Sequence, residues 1–297
     1  MTETRKQPTA TELATTAEME PAAEQSQDGC PFGGSGGGAP YVRFASLTEL
    51  HDLPFPSTDS PFELSFILVT QVKELLFRML HVELDVARSR LREDDVTEAC
   101  RALSRAQRVQ HVLLTSWETL TGMSATDFTG FRAILGEASG IQSFMYRALE
   151  FILGNKDEGG LDRLRRLGGL HPLLVDEIAA PSLYDETIAY LHRTVRPMPD
   201  ALLRRDFSRQ HEASVEVEDA WLTIYRNPEA HLAGYQLAEA LIELSYLFSQ
   251  WRATHLLVVE RMLGRKPGTG GTEGVDWLRH INEHRFFPEL WSVRTKI

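Results

Sequence analysis

Cysteine is nearly missing from this chain: Cys30 and Cys100 are the only two in 297 residues, too few for a disulfide framework or a thiolate metal cluster. Long apolar runs are missing as well. No stretch reaches eighteen consecutive apolar residues, and the N-terminus is polar where a signal peptide needs an apolar centre, so a cytoplasmic protein without a membrane span is expected. Basic residues are in deficit, 31 against 42 acidic ones, for a formal charge of −11. That balance argues against broad electrostatic binding of nucleic acid or an anionic membrane. Several catalytic signatures are absent too. The chain has no H-E-x-x-H, no serine in a G-x-S-x-G setting and no carboxylate pair spaced for glycoside hydrolysis.

What remains is an ordinary soluble composition with 14 Phe, 5 Trp and 7 Tyr to fill a core. Residues 1–40 carry six acidic and two basic residues and a glycine-rich run, Gly33 to Gly38 interrupted by Ser35. Such a segment buries too little apolar surface to offset its ordering entropy, so it is expected to be a disordered tail. One well-filled domain is then expected over 41–297.

From Pro40 onward apolar residues recur at helical spacing, and no segment alternates with period two over strand length. The fold class is therefore all-α. Long helices are expected over about Phe62 to Arg92, Val96 to Leu120, Asp127 to Leu153, Phe207 to Tyr225 and Pro228 to Leu263, as a bundle. On the first, Leu64, Ile67, Leu68, Leu75, Leu76 and Met79 form the apolar stripe. On the second, Ala99, Leu103, Ala106, Val109, Val112 and Leu113 form the inner side.

Three features carry chemistry. His255 lies in an apolar helical stretch near Phe248, Trp251 and Met262, and is either a satisfied core histidine or an iron ligand for a heme slotted between helices. Arg132 shares a helix face with Phe128 and either clamps a substrate carboxylate or pairs with Glu137 at the surface. The run Gly264 to Thr272 follows the last long helix, with Arg265 and Lys266 beside its glycines. It is either an anion clamp or a flexible loop, and it lacks the spacing and strand of a nucleotide-binding loop. The other histidines have plain explanations. His81, His111, His192, His211 and His231 sit among charged neighbours and are expected to be solvated.

Several runs in one order resemble the tryptophan 2,3-dioxygenase family of histidine-ligated heme oxygenases. They include Glu74-Leu75, His81-Val82-Glu83-Leu84, Asp127-Phe128 through Phe131-Arg132, Ala138-Ser139-Gly140, Leu153-Gly154-Asn155-Lys156, Pro181-Ser182-Leu183-Tyr184-Asp185, Trp251-Arg252 with His255, Gly268-Thr269-Gly270-Gly271 and Phe286-Phe287-Pro288-Glu289-Leu290. The resemblance implies an all-α, homotetrameric enzyme that binds heme b, dioxygen and an aromatic amino acid. It places His255 as the iron ligand, with Trp117 and Trp251 lining the cofactor. It places Arg132 on the substrate carboxylate, Thr269 over the amino-acid head group, Phe66 and Phe128 against the indole, and Ser139 and Gly140 near dioxygen. Tyr41 and Phe44 fall where the family lends aromatics to a neighbouring subunit.

The sequence departs from the family at Thr70, where a distal histidine is usual, and at Leu76, where tryptophan is usual. The shorter Thr70 hydroxyl reaches less far toward an indole N–H, so a water bridges or the substrate shifts. Three readings stay open here: dioxygen insertion at the indole C2–C3 bond, single-oxygen insertion giving a 2-oxindole or hydroxylated amino acid from a tryptophan derivative, and non-catalytic sensing of heme or indole.

Overall fold

The computed structural model describes residues 39–297 except 157–158, 160, 163–164, 166–168 and 270–273. The tail through position 38 with Cys30, and Gly270 and Gly271 of the glycine loop, lie outside the described residues. Two units are separated at Leu53 and Pro54. In the first, helices α1 (Pro40–Phe44) and α2 (Leu47–Asp52) carry no buried residue, and Tyr41 and Phe44 are 68 and 90 % exposed.

The second unit is all helical among its described residues. Helix α3 (Pro61–Arg92) starts at a proline, whose fixed φ suits the first turn. Its 32 residues span about 48 Å at the α-helical rise. A three-residue connection turns it back, with Asp94 in the left-handed region and the Asp95 side chain accepting from Glu98 N–H to cap α4 (Val96–Thr115). Ala99, Ala102 and Ala106 are fully buried on α4 and let α3 approach closely, while Leu80, Leu84 and Leu91 fill the seam. Each fully buried leucine contributes about 1.5–3 kcal/mol by leaving water. On its other flank α4 lies along α12 (Leu232–Leu263), where Gln107 and Gln110 donate side-chain hydrogen bonds to the carbonyls of Ala240 and Leu244.

The remaining elements close around this three-helix spine: α5 (Glu118–Thr121), α6 (Ala125–Arg132), α7 (Phe144–Ile152), α8 (Pro172–Ala179), α9 (Leu183–Thr194), α10 (Asp200–Leu203), α11 (Val215–Arg226), α13 (Val275–Glu283) and α14 (Pro288–Ser292). Gly234 is where α12 meets α11, since a Cβ there would stand 2.9 Å from Ile224 Cδ1.

Four expectations need correction. The helix expected over Asp127 to Leu153 is two helices, because Gly136 takes a φ of +51° and Ser139 is extended, so the chain turns twice between α6 and α7. The second helix stops at Thr115, and the last two long ones start at Val215 and Leu232. On α3 the stripe named above is largely the solvent face, with Leu64, Leu68, Leu75 and Met79 exposed, as is Val112 on α4. The buried face of α3 carries Glu63, Lys73, His81 and Arg88 among its apolar residues, which hides it from apolar periodicity. His81 is buried against Glu177 at 3.1 Å and His211 binds Glu289 at 2.8 Å, so neither is solvated.

Candidate active site

Helix α6 is fixed at its start by a reciprocal box in which the Ser124 hydroxyl accepts from Asp127 N–H and the Asp127 carboxylate accepts from Ser124 N–H. That start turns Phe128 and Phe131 into the core and leaves Arg132 at the C-terminal end, half-buried. Phe66 of α3 meets both rings, with centroids 5.8 and 5.6 Å away, and the two α6 rings stand edge-on at 5.2 Å. The result is a three-ring aromatic wall across two helices.

The glycine loop reaches this wall from the far end of the sequence. Arg132 Nη2 donates to the Pro267 carbonyl at 2.6 Å, and the Thr269 hydroxyl donates to the Ala138 carbonyl at 2.6 Å. Arg132 makes no ion pair with Glu137, and its Nε is buried without a partner among the described residues. Two glycines make the loop possible. Gly264 ends α12 with a φ of +60°, and Gly274 closes the base with a φ of +66°, where a Cβ would stand 2.6 Å from the Lys266 carbonyl. Ser139 and Gly140 follow Ala138 directly and open a single 3-10 turn held by Gln142 accepting from Ser139 N–H. Arg132, Thr269, Ser139, Gly140, Phe66 and Phe128 thus share one neighbourhood.

A second neighbourhood is built on Trp117, at the break between α4 and α5. Its ring stacks on the His255 imidazole at 4.5 Å and 9°, and lies 5.3 Å from Trp251. Trp251 also faces Phe77 and Tyr146, each at 5.6 Å. Neither ring nitrogen of His255 has a hydrogen-bond partner among the described residues. Burial, followed by the Lys73 charge, pushes its pKa down to about 3, so the imidazole is neutral with a lone pair to give. Trp117 Nε1 and Trp251 Nε1 are buried N–H groups without a partner. A heme asks for a neutral imidazole, flat apolar walls and donors for its carboxylates, and these residues meet that demand. No group of three or more His, Cys, Asp or Glu side chains among the described residues offers an alternative metal site.

Thr70 stands between the two neighbourhoods on α3. It is exposed, and its hydroxyl donates to the Phe66 carbonyl of its own helix at 2.8 Å, so its proton is already used. Three contributors were not foreseen from sequence: Phe131 in the aromatic wall, Gly274 under the loop, and Lys73. The Lys73 Nζ lies 3.0 Å from the Trp117 ring centroid. The spacing 66, 70, 73, 77 places Lys73 on the same α3 face as Phe66, Thr70 and Phe77, a signal masked by the more apolar opposite stripe.

The family model described as tryptophan 2,3-dioxygenase matches residues 25–166 and 178–297. Curated relatives named tryptophan 2,3-dioxygenase are found in Caulobacter vibrioides, 43% identical over 257 residues that cover 86% of this chain and 98% of the relative. Others occur in Exiguobacterium sibiricum, 38% identical and 92% covered, and Shewanella woodyi, 36% identical and 90% covered.

Proposed function

The chain belongs to the tryptophan 2,3-dioxygenase family, and from that premise we propose that it inserts both atoms of dioxygen at the indole C2–C3 bond of L-tryptophan or a substituted tryptophan, using heme b held by His255. The observation that carries this reading is the neutral, unpartnered His255 imidazole among Trp117 and Trp251, whose buried N–H groups also lack partners. A heme bound there supplies the iron at which dioxygen reacts. The remaining roles belong to the chain.

Arg132 receives the substrate carboxylate, for which its unpartnered Nε and its position at the end of α6 suit it. Thr269 and the loop behind it cover the amino-acid head group, since the loop is already tied to Arg132 and Ala138. Phe66 and Phe128 present one side of their shared aromatic wall to the indole and exclude water, and Ser139 and Gly140 border the dioxygen side. Because both oxygen atoms end in the product, the overall reaction balances without an external reductant, and the electron-rich indole needs no general base on the chain.

We read the assembly as a homotetramer in which Tyr41 and Phe44 reach a neighbouring subunit's pocket. Their exposure supports this, as does the exposed apolar row Leu64, Leu68, Val72, Leu75, Met79 and Val82 along α3. No helix among the described residues is long and apolar enough to cross a membrane.

The test is His255→Ala. The variant is expected to lose the Soret band of the reconstituted protein, while the wild type turns over tryptophan under labelled dioxygen with two labelled atoms in the product by mass spectrometry. An unchanged Soret band in the variant, or one labelled atom in the wild-type product, overturns the reading.

A further inference from the structure

Lys73 is a buried lysine that forms no ion pair among the described residues. Its amine lies on the face of Trp117, with Nζ 3.0 Å from the ring centroid. The same indole stacks on the His255 imidazole at 4.5 Å and 9°. A cation held this dry costs folding free energy, and burial already brings the Lys73 pKa down to about 7. An apolar side chain of similar length would fill the same space without that cost. What the charge does is therefore done to Trp117, the ring it touches.

The chemistry of the site gives that ring a reason to be protected. The reaction proposed above draws electrons from an electron-rich indole beside an iron held by His255. The chain places two indoles of its own against that imidazole, Trp117 at 4.5 Å and Trp251 at 5.8 Å. Both are buried, and both N–H groups lack a partner among the described residues, so hydrogen bonding sets neither apart from a substrate indole. Charge does set one apart. An amine lies over Trp117, whereas among the described residues no cation lies over Trp251. A cation on an indole face draws on the π density that makes the ring easy to oxidise. A desolvated contact of this kind is worth about tenfold in an equilibrium, and its attraction turns to repulsion once the ring has lost an electron.

We propose that Lys73 guards Trp117 against oxidation: its ammonium, held on the indole face, keeps the ring stacked on the iron ligand from giving up electrons in place of the substrate. The inference rests on the functional reading above and deepens it, since it names the residue that tells the chain's own indole from the substrate's. The damage it suppresses is an oxygen transfer from hydrogen peroxide. In that step the indole gains one oxygen atom and loses two electrons, and the peroxide accepts those electrons and leaves as water.

The test treats the full-length, heme-loaded protein with hydrogen peroxide at about pH 6, below the Lys73 pKa of about 7, where the amine carries its proton. Peptide mass spectrometry then reads the oxygen gained at Trp117 and at Trp251. In Lys73→Met the ratio of Trp117 to Trp251 oxidation is expected to rise about tenfold over wild type. Lys73→Arg, which keeps the charge, is expected to hold the wild-type ratio. Loosened packing would raise oxidation at both rings together and leave the ratio unchanged, so the ratio separates the charge from a merely structural role. Should Lys73→Met fail to take up heme, Lys73→Gln supplies the neutral comparison, and the heme-free chains exposed to the azide radical, a one-electron oxidant of indoles, give the same ratio without heme. A neutral variant with the wild-type ratio overturns this inference alone. A wild-type chain that takes up no heme overturns the functional reading together with it.

Discussion

One turn of α12 separates two kinds of buried polar chemistry. Arg252 donates from Nη2 to Glu150 at 2.8 Å and from Nε to the Tyr146 hydroxyl at 3.0 Å, while Arg147 holds the other Glu150 oxygen. All four side chains are buried, and the two guanidinium groups share a single carboxylate. Three residues further on, His255 has no hydrogen-bond partner among the described residues, and around it Lys73, Trp117 Nε1 and Trp251 Nε1 likewise lack one. The first cluster is complete within the chain and ties α7 to α12. The second is complete only when something else is bound. Buried polar groups in the first stabilise the fold because each has a partner, whereas those in the second cost stability and are explained by the site they serve.

The largest expected effect breaks the first cluster. Glu150→Ala leaves two buried guanidinium groups sharing no carboxylate, and loss of one partner from a buried ion pair costs about 3–5 kcal/mol. Urea unfolding of the heme-free chain should show that loss as a shift in midpoint with little change in slope. A cost under about 1 kcal/mol, the range of an exposed pair, would remove the distinction between the clusters.

The second cluster should respond with the opposite sign. Lys73 keeps its proton up to about 10.5 when unfolded but gives it up near 7 when folded. Between those values the unfolded chain binds more protons, so stability rises with pH, and the full cost is present below about pH 7. Lys73→Met removes this cost. The heme-free variant is expected to be more stable than wild type at pH 7 by on the order of 1–3 kcal/mol, with the gap closing as pH approaches 10.5. A variant less stable than wild type at pH 7 would place Lys73 with the satisfied cluster.

This contrast also explains what the sequence makes legible. The ends of α3 and the end of α12 follow from apolar spacing, a proline and a glycine, all local signals. The face of α3 does not, because its inner side carries Glu63, Lys73, His81 and Arg88, while its outer side carries the cleaner row of leucines. Apolar periodicity finds the face that avoids water only where burial and apolarity coincide. The break after Arg132 depends on Gly136 and Ser139, whose backbone angles no spacing rule reports. The candidate site was readable as residue types in family motifs. Its assembly was not, since Arg132 meets Pro267 across 135 positions and Thr269 meets Ala138 across 131.

The smallest effect concerns an exception inside the satisfied region. His284 packs edge-on against Phe286 at 5.0 Å, and its Nδ1 is buried without a partner among the described residues. Burial first, then the Arg252 and Arg285 charges, push its pKa down to about 4. It therefore stays neutral when folded over a range in which the unfolded chain binds a proton. Its contribution to stability is present above about pH 6.5 and is lost as pH falls toward 4. Replacing it with glutamine, which cannot titrate, should flatten the acid limb of the stability profile in that window by on the order of 1–2 kcal/mol relative to wild type. If the glutamine variant loses stability on acidification as steeply as wild type, the acid sensitivity belongs to carboxylates elsewhere, and neither burial nor the Arg252 and Arg285 charges hold the His284 imidazole neutral.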